Sequence, residues 1–224
     1  MAQPRTRPLR RDAERNRHRI IEAAREVFAA QGLTPGLNEI ARHAGLGVGT
    51  VYRHFADKDT LIEAAVRDEV EDMVALAEEC QAADTGWDGL SRFLRRAIAR
   101  QVADRGLRDA LLGSPYFTRH AEGLLSRVAP QVAALLERAH HEGAVRPGVT
   151  LADLLMIQFM VTEFANDSED VFPGTYQRFL DLFLDSMRAQ PGQQALGEGL
   201  TEDEAIRVLR HAGHPRNPQR STRQ

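Results

Sequence analysis

Lysine, cysteine and tryptophan each occur once among the 224 residues, and no apolar run is long. Cys80, being alone, excludes a disulfide or a cysteine-based metal cluster within one chain. It follows Met73, Leu76 and Ala77 at helical spacing and has no Lys, Arg or His as a sequence neighbour, so a buried, unreactive thiol is expected. The longest apolar stretch, Leu154 to Val161, is interrupted by Gln158 and falls short of the ~20 residues that span a bilayer. The Arg-rich N-terminus leads into no apolar segment, so no secretory signal is read and a cytoplasmic, nucleoid-associated protein is expected. Period-two alternation is missing, which argues against strands. Nor is there an HExxH pair, a glycine-rich phosphate loop opening from a strand, or a cysteine nucleophile with a partner; no enzyme activity and no cofactor are read from the chain.

What is present begins with composition. An apolar fraction of 42% and a charged fraction of 27% are ordinary for a soluble chain with a real core. The net charge of −3 hides an asymmetry: residues 1–58 carry 11 Lys and Arg against 6 Asp and Glu, and the remainder 18 against 26. A basic N-terminal part on an acidic body suits a small DNA-binding module joined to something that does not touch DNA. Residues 1–11, with Pro4, Pro8 and four arginines, read as a disordered basic arm able to add phosphate contacts.

From Asp12 to Gln31, Ile20, Ile21, Ala24, Val27 and Phe28 recur at the helical period, and Gly32 is a suitable stop. Two short helical patterns follow, Asn38 to Ala44 and Val48 to Phe55, separated by Gly45-Leu46-Gly47. Helices this short cannot bury a core alone, so the first helix must cover them. Short helix, glycine turn, short helix is the pattern of a helix-turn-helix, whose second helix enters the DNA major groove. Leu37, Ile40, Ala41, Val51 and Phe55 fall inward, leaving Val48, Gly49, Thr50, Arg53 and His54 outward. Tyr52 is open between packing and reaching a phosphate. Arg42, Arg53 and Lys58 put positive charge inside the folded motif, and Arg42 joins the DNA-binding residues on that ground. Because Val48 and Gly49 offer no side-chain donor, Arg53 leads for base readout, most simply bidentate to guanine. Asp57 can cap a fourth helix reaching about Ala83. Lys58 at its start opposes the helix dipole, which a phosphate contact would rationalise.

The run I-A-x-x-A-G from Ile40, then G-V-G-T-V-Y-R-H-F from Gly47 and K-D-x-L from Lys58, resembles the DNA-binding domain of the TetR family of bacterial repressors over about residues 12–66. The resemblance implies that Thr50, Tyr52 and Lys58 contact phosphates, with Val48, Gly49, Arg53 and His54 nearest base edges. Pro35-Gly36-Leu37 and Gly47 stand where the family often has a capping Ser or Thr. It also implies a homodimer, formed when the last two major helices pair with their copies, on a palindromic double-stranded DNA operator.

Residues 12–57 are thus expected to form the DNA-binding domain and 58–190 a helical regulatory and dimerisation domain. Residues 191–224 read as a linker, a short helix (Thr201 to His211, with Thr201 and Glu204 as a capping box) and a disordered tail. In the middle domain, Trp87, Leu90, Leu94, Ala97, Ile98 and Gln101 trace a fifth helix after Gly86, and a short sixth covers Leu107 to Leu112. Pro115 to His141 is a long helical segment that Pro130 kinks or restarts. Leu151 to Phe164 is apolar nearly all round. After a loop from Asn166 to Pro173, Phe172, Tyr176, Phe179, Leu180, Phe183, Leu184 and Met187 fall in helical register. So much apolar surface near the C-terminus suggests a second copy, with Leu154, Ile157, Val161, Tyr176, Phe179, Phe183 and Met187 as interface candidates; a closed monomeric core is the alternative. A dimer also gains affinity by holding two half-sites together.

An effector pocket within the bundle is expected, lined by Trp87, Phe93, Phe117, Met156, Phe159, Met160 and Phe164, with Gln158, Thr162 or Glu163 as polar anchors. Plain core packing would account for the same residues. Glu137 and His140 make one E-x-x-H where a di-iron bundle needs two, so no metal site is assigned and His140 and His141 are expected on a solvated helix end. The fold class is all-α: an N-terminal three-helix helix-turn-helix domain plus a C-terminal helical ligand-binding and dimerisation bundle. The function read from it is a DNA-binding transcriptional regulator, a repressor released by a small-molecule effector. A ligand-independent activator or nucleoid protein, or a metal sensor using His120 or His141, stays open as an alternative.

Overall fold

A computed structural model describes residues 7–112 and 115–212. Among these, ten helices follow one another: α1 (Arg7–Gln31), α2 (Leu37–His43), α3 (Val48–His54), α4 (Lys58–Gln81), α5 (Gly86–Ala103), α6 (Arg105–Leu111), α7 (Pro115–His141), α8 (Leu151–Ser168), α9 (Tyr176–Met187) and α10 (Glu202–Ala212). The extended pairing found among them is a single antiparallel bridge, Val145 with Arg188, which pins the α7–α8 turn to the end of α9. Among the described residues no helix is long and apolar enough to cross a membrane.

Several boundaries follow from caps that are local in sequence. Asp57 accepts from the Thr60 N–H and hydroxyl, both at 2.8 Å, and opens α4. Thr85 accepts from the Asp88 N–H at the start of α5, and Asp104 from the Leu107 N–H at the start of α6. Thr150 with Asp153 forms a capping box at α8, and Thr201 with Glu204 forms one at α10. Each satisfies N–H groups that a helix start leaves without partners.

Other boundaries depart from expectation. α1 begins at Arg7, so residues 7–11 are helical, not part of a disordered arm; Pro8 is tolerated because the first turn has no N–H to lose. Residues 1–6 and the final stretch 213–224 lie outside the described residues. α7 runs unbroken past Pro130, on an exposed side where water can take the carbonyl that proline leaves unpaired. α8 continues to Ser168, beyond Phe164, and Phe172 sits exposed in the turn before α9 instead of within it.

The helices share one apolar core. α1, α2 and α3 form its N-terminal lobe, where Ile20, Ala24, Phe28, Ile40, Val51 and Phe55 are all but fully buried. Burial of each large side chain contributes about 1.5–3 kcal/mol. That explains how two seven-residue helices are held. α4 leaves this lobe and enters the larger bundle, packing on α5 and α7, with α8, α9 and α10 outside. Arg25 of α1 donates to the Ala65 carbonyl of α4 at 3.0 Å and pairs with Asp68, tying the lobe to that helix.

Candidate nucleic-acid interface and effector cavity

The turn between α2 and α3 is set by backbone hydrogen bonds. Gly45 takes φ of 63°, a left-handed conformation that costs glycine least. The Gly45 N–H reaches the Arg42 carbonyl at 3.2 Å and the Leu46 N–H reaches Ala41 at 3.0 Å, a Schellman closure. Arg19 of α1 donates to the Ala44 carbonyl at 2.8 Å, and His43 pairs with Glu26 at 2.6 Å. Arg17 lies over the Phe55 ring at 5.4 Å. The C-terminal ends of both short helices are therefore held against α1. Gly36 and Gly47 occupy the N-cap positions and supply no side-chain hydrogen bond.

Val51 and Phe55 fill the inward side of α3, while Val48, Gly49, Tyr52 and Arg53 are exposed and Thr50 and His54 half-buried. Arg53 Nη2 donates to Thr50 Oγ1 at 3.1 Å. Among the described residues Arg53 makes no ion pair, so its guanidinium points off the body of the protein with most donors uncommitted. Arg42 on α2 is exposed, with Glu39 at 3.8 Å. Lys58 behaves differently. Its Nζ donates to the Thr34 carbonyl at 2.9 Å, clasping the α1–α2 loop. Burial pulls its pKa down, opposed by neighbouring Asp59, with Arg119 adding repulsion. An ammonium has three donors, so this bond leaves two for an outside acceptor.

The second site is a cavity of about 100 Å³ inside the bundle, walled by α4, α5, α6, α7, α8 and α10. Its wall is apolar apart from Gln158 of α8 and Glu202 of α10. Phe93 and Gln158 are the expected pocket residues that line it. Trp87 is buried elsewhere beneath Arg188, 5.1 Å from its ring centroid. Met156 and Met160 border a shallower cleft of about 220 Å³ with Phe183 and Met187. Phe159 and Glu163 do not line the cavity, and Phe164 stacks edge-on against Phe179 at 4.7 Å on the surface. Thr162 is buried, but its hydroxyl is spent on the Gln158 carbonyl at 2.8 Å. The side chain of Phe117 lies outside the described residues. α8 is apolar on all sides, so periodicity could not say which side faces this cavity.

The same ambiguity affects the interface candidates. Leu154, Ile157, Val161, Tyr176 and Met187 are buried within the chain's own core, and Leu154 lines the cavity. Phe179 is 40% exposed and Phe183 half-buried. The apolar side chains that face outward on these helices are instead Met160, Phe164, Phe179 and Leu182.

Sequence reasoning missed a link between the two sites. Asp109 of α6 accepts from the Leu33 N–H at the end of α1, at 2.9 Å. Its neighbour Arg108 is buried and reaches Asn166 of α8 at 2.7 Å and Asp109 at 3.1 Å. Two residues further along α6, Leu111 joins the cavity wall. The pairing joins distant segments and has no signature in local periodicity. Gln101, wholly buried on α5 two turns beyond the cavity-lining Leu94, has neither amide atom hydrogen-bonded among the described residues. His140, expected at a solvated end, is half-buried and bonded to the Val149 carbonyl at 2.9 Å. His120 stacks on Tyr116 and approaches Asp59 at 3.4 Å. Among the described residues no three His, Cys, Asp or Glu side chains gather as a metal site.

Comparison with known proteins sets this geometry in a family. Residues 20–65 match the bacterial regulatory proteins of the tetR family, and residues 85–189 match the SbtR-like transcriptional regulator C-terminal domain. A TetR transcription regulatory protein of Mycobacterium vanbaalenii is 34% identical, over 81% of this chain and 100% of that one, with a TM-score of 0.50. The chain belongs to the TetR family of bacterial transcriptional regulators. A TetR regulator of Streptomyces coelicolor is 31% identical over 77% of this chain and 98% of its own, with a TM-score of 0.50. RolR in complex with resorcinol, 20% identical over 92% of this chain and 96% of its own, shares the fold with a TM-score of 0.54. An HTH-type transcriptional regulator of Staphylococcus aureus (strain USA300) is 46% identical over 54 residues, which span 24% of this chain and 29% of that protein. As a TetR-family member, the chain is a helix-turn-helix transcriptional regulator with a C-terminal helical domain.

Proposed function

We propose that this TetR-family regulator is a cytoplasmic, dimeric repressor that leaves its operator when a small molecule occupies the bundle cavity. The observation that carries the reading is the position of α6. One end of that helix walls the cavity through Leu111, and its Asp109 holds the Leu33 N–H of the DNA-binding lobe. A ligand that prefers a displaced α6 shifts the lobe by its difference in affinity for the two arrangements.

On DNA, Arg53 reads a base in the major groove, Val48 and Gly49 sit closest to the base edges, and Thr50, Tyr52, His54, Lys58 and Arg42 supply the surrounding contacts. Two copies place their α3 helices about 34–36 Å apart, one turn of duplex. Met160, Phe164, Phe179 and Leu182 on the outer face of α8 and α9 supply the dimer contact; an exposed apolar patch of this kind marks an association surface. Fluorescence anisotropy with the DNA upstream of the chain's own gene tests the whole reading. Specific binding that a metabolite extract relieves is expected. Specific binding that no extract relieves would leave a ligand-independent regulator.

A further inference from the structure

We propose that α10 is a lid over the effector cavity, and that the ligand is a mainly apolar molecule of about one ring whose polar end donates a hydrogen bond to Glu202 and accepts one from the Gln158 amide. The inference rests on reading that cavity as the effector site. It starts from where α10 lies. The helix follows the segment that matches the family's C-terminal domain, which ends at residue 189. It packs on α7 and α8, and its residues Glu202 and Ile206 complete the cavity wall that Leu151, Ala152 and Leu155 of α8 leave open.

The attachment is light. Of the 11 residues of α10, Ala205 and Leu209 are buried. Residues 191–200, which lead to it, contain no helix and lie mostly exposed. An element with few buried contacts opens locally at lower cost than the core. α10 can therefore swing away while the bundle stays folded, widening the path to a cavity that already opens to solvent beside the exposed Glu202.

Size and chemistry then limit the ligand. An apolar cavity of about 150 Å³ admits benzene; this one, at about 100 Å³, is smaller, so a single ring is the most it takes. Among the described residues, neither the Gln158 amide nor the Glu202 carboxylate has a hydrogen-bond partner. A carboxylate only accepts, and an amide can do either. A ring bearing a hydroxyl meets both, whereas a bare ring meets neither and an anionic ring is repelled by Glu202.

Phenol, toluene and benzoate serve as probes on the full chain, with binding measured by titration calorimetry and α10 followed by hydrogen exchange. Phenol is expected to bind more tightly than toluene, benzoate not at all, and phenol should slow exchange in α10. Glu202→Gln, at an exposed position, should weaken phenol on the order of tenfold and leave toluene unchanged. Leu209→Ala should speed phenol dissociation severalfold. Equal affinities for phenol and toluene, a Glu202→Gln variant that keeps the phenol preference, or unchanged exchange in α10 would overturn the proposal. Operator release is scored separately. Phenol bound in the cavity without release would sink the effector reading and spare the lid, whereas release by an extract with no phenol binding would do the reverse.

Discussion

Replacing Gly106 with alanine should weaken the joint between the DNA-binding lobe and the bundle, and the size of the loss can be worked out from contacts. Gly106 lies on α6 against α1. A Cβ there would stand 2.8 Å from Phe28 Cβ, 3.0 Å from its carbonyl carbon and 3.1 Å from its carbonyl oxygen. These are backbone and Cβ atoms, which cannot rotate aside, so α6 must retreat to reach an ordinary contact distance. Such overpacking costs about 1–3 kcal/mol. Alanine returns about 0.5–1 kcal/mol through its better helix propensity. The net loss, centred near 1 kcal/mol and at most about 2.5 kcal/mol, lowers Tm by about 2–4 °C and at most about 10 °C in a chain of this size. Gly123→Ala is the control. Gly123 is exposed in α7 with nothing within 4 Å of an added Cβ, so the same chemical change should raise Tm by about 1–4 °C. Differential scanning calorimetry of the two variants decides the matter. Shifts of the same sign would refute the idea that close approach of α6 to Phe28, and not propensity, governs this position.

Three other outcomes are expected. Asp109→Ala leaves the Leu33 N–H without its acceptor and should cost about 1–3 kcal/mol, measured by urea denaturation; it should also reduce effector-driven release, because the α6–α1 bond is gone. Asp59 is held below its ordinary pKa of 3.8, chiefly by hydrogen bonds from Arg119, with His120 adding to the effect. Its contribution is therefore complete above that value and lost as pH falls through the lower, folded-state pKa. Asp59→Asn should lower stability at pH 7 by about 0–1 kcal/mol, since the pair is partly exposed, and a Tm series from pH 7 down to about 2 should show the gap closing. Introducing Asp at both Phe164 and Leu182 should give a folded monomer with weakened operator binding by light scattering and anisotropy; a dimer that persists would move the interface elsewhere.

Legibility varied with how local the cause was. The helix-turn-helix could be read because Gly45, the inward pair Val51 and Phe55, and the Asp57 cap act within a few residues of themselves. The capping box at Thr201 was equally plain. By contrast, α8 carries apolar residues all round, and nothing local distinguishes Leu154, which lines the cavity, from Met160, which faces out. The contact of α6 with α1 depends on an acceptor 76 residues from its donor. Lys58 illustrates a middle case: its place at the start of α4 was legible, but its bond to Thr34 required the α1–α2 loop to be in position.

We propose that the outward side of α3 meets a duplex through Arg53. The direct measurement compares the parent chain with Arg53→Ala on the upstream DNA and on base-substituted versions of it, at one fixed salt concentration. The expected result is a loss of about 1–3 kcal/mol together with relaxed discrimination at one base position in each half-site. Equal affinity of parent and variant for every sequence would contradict it.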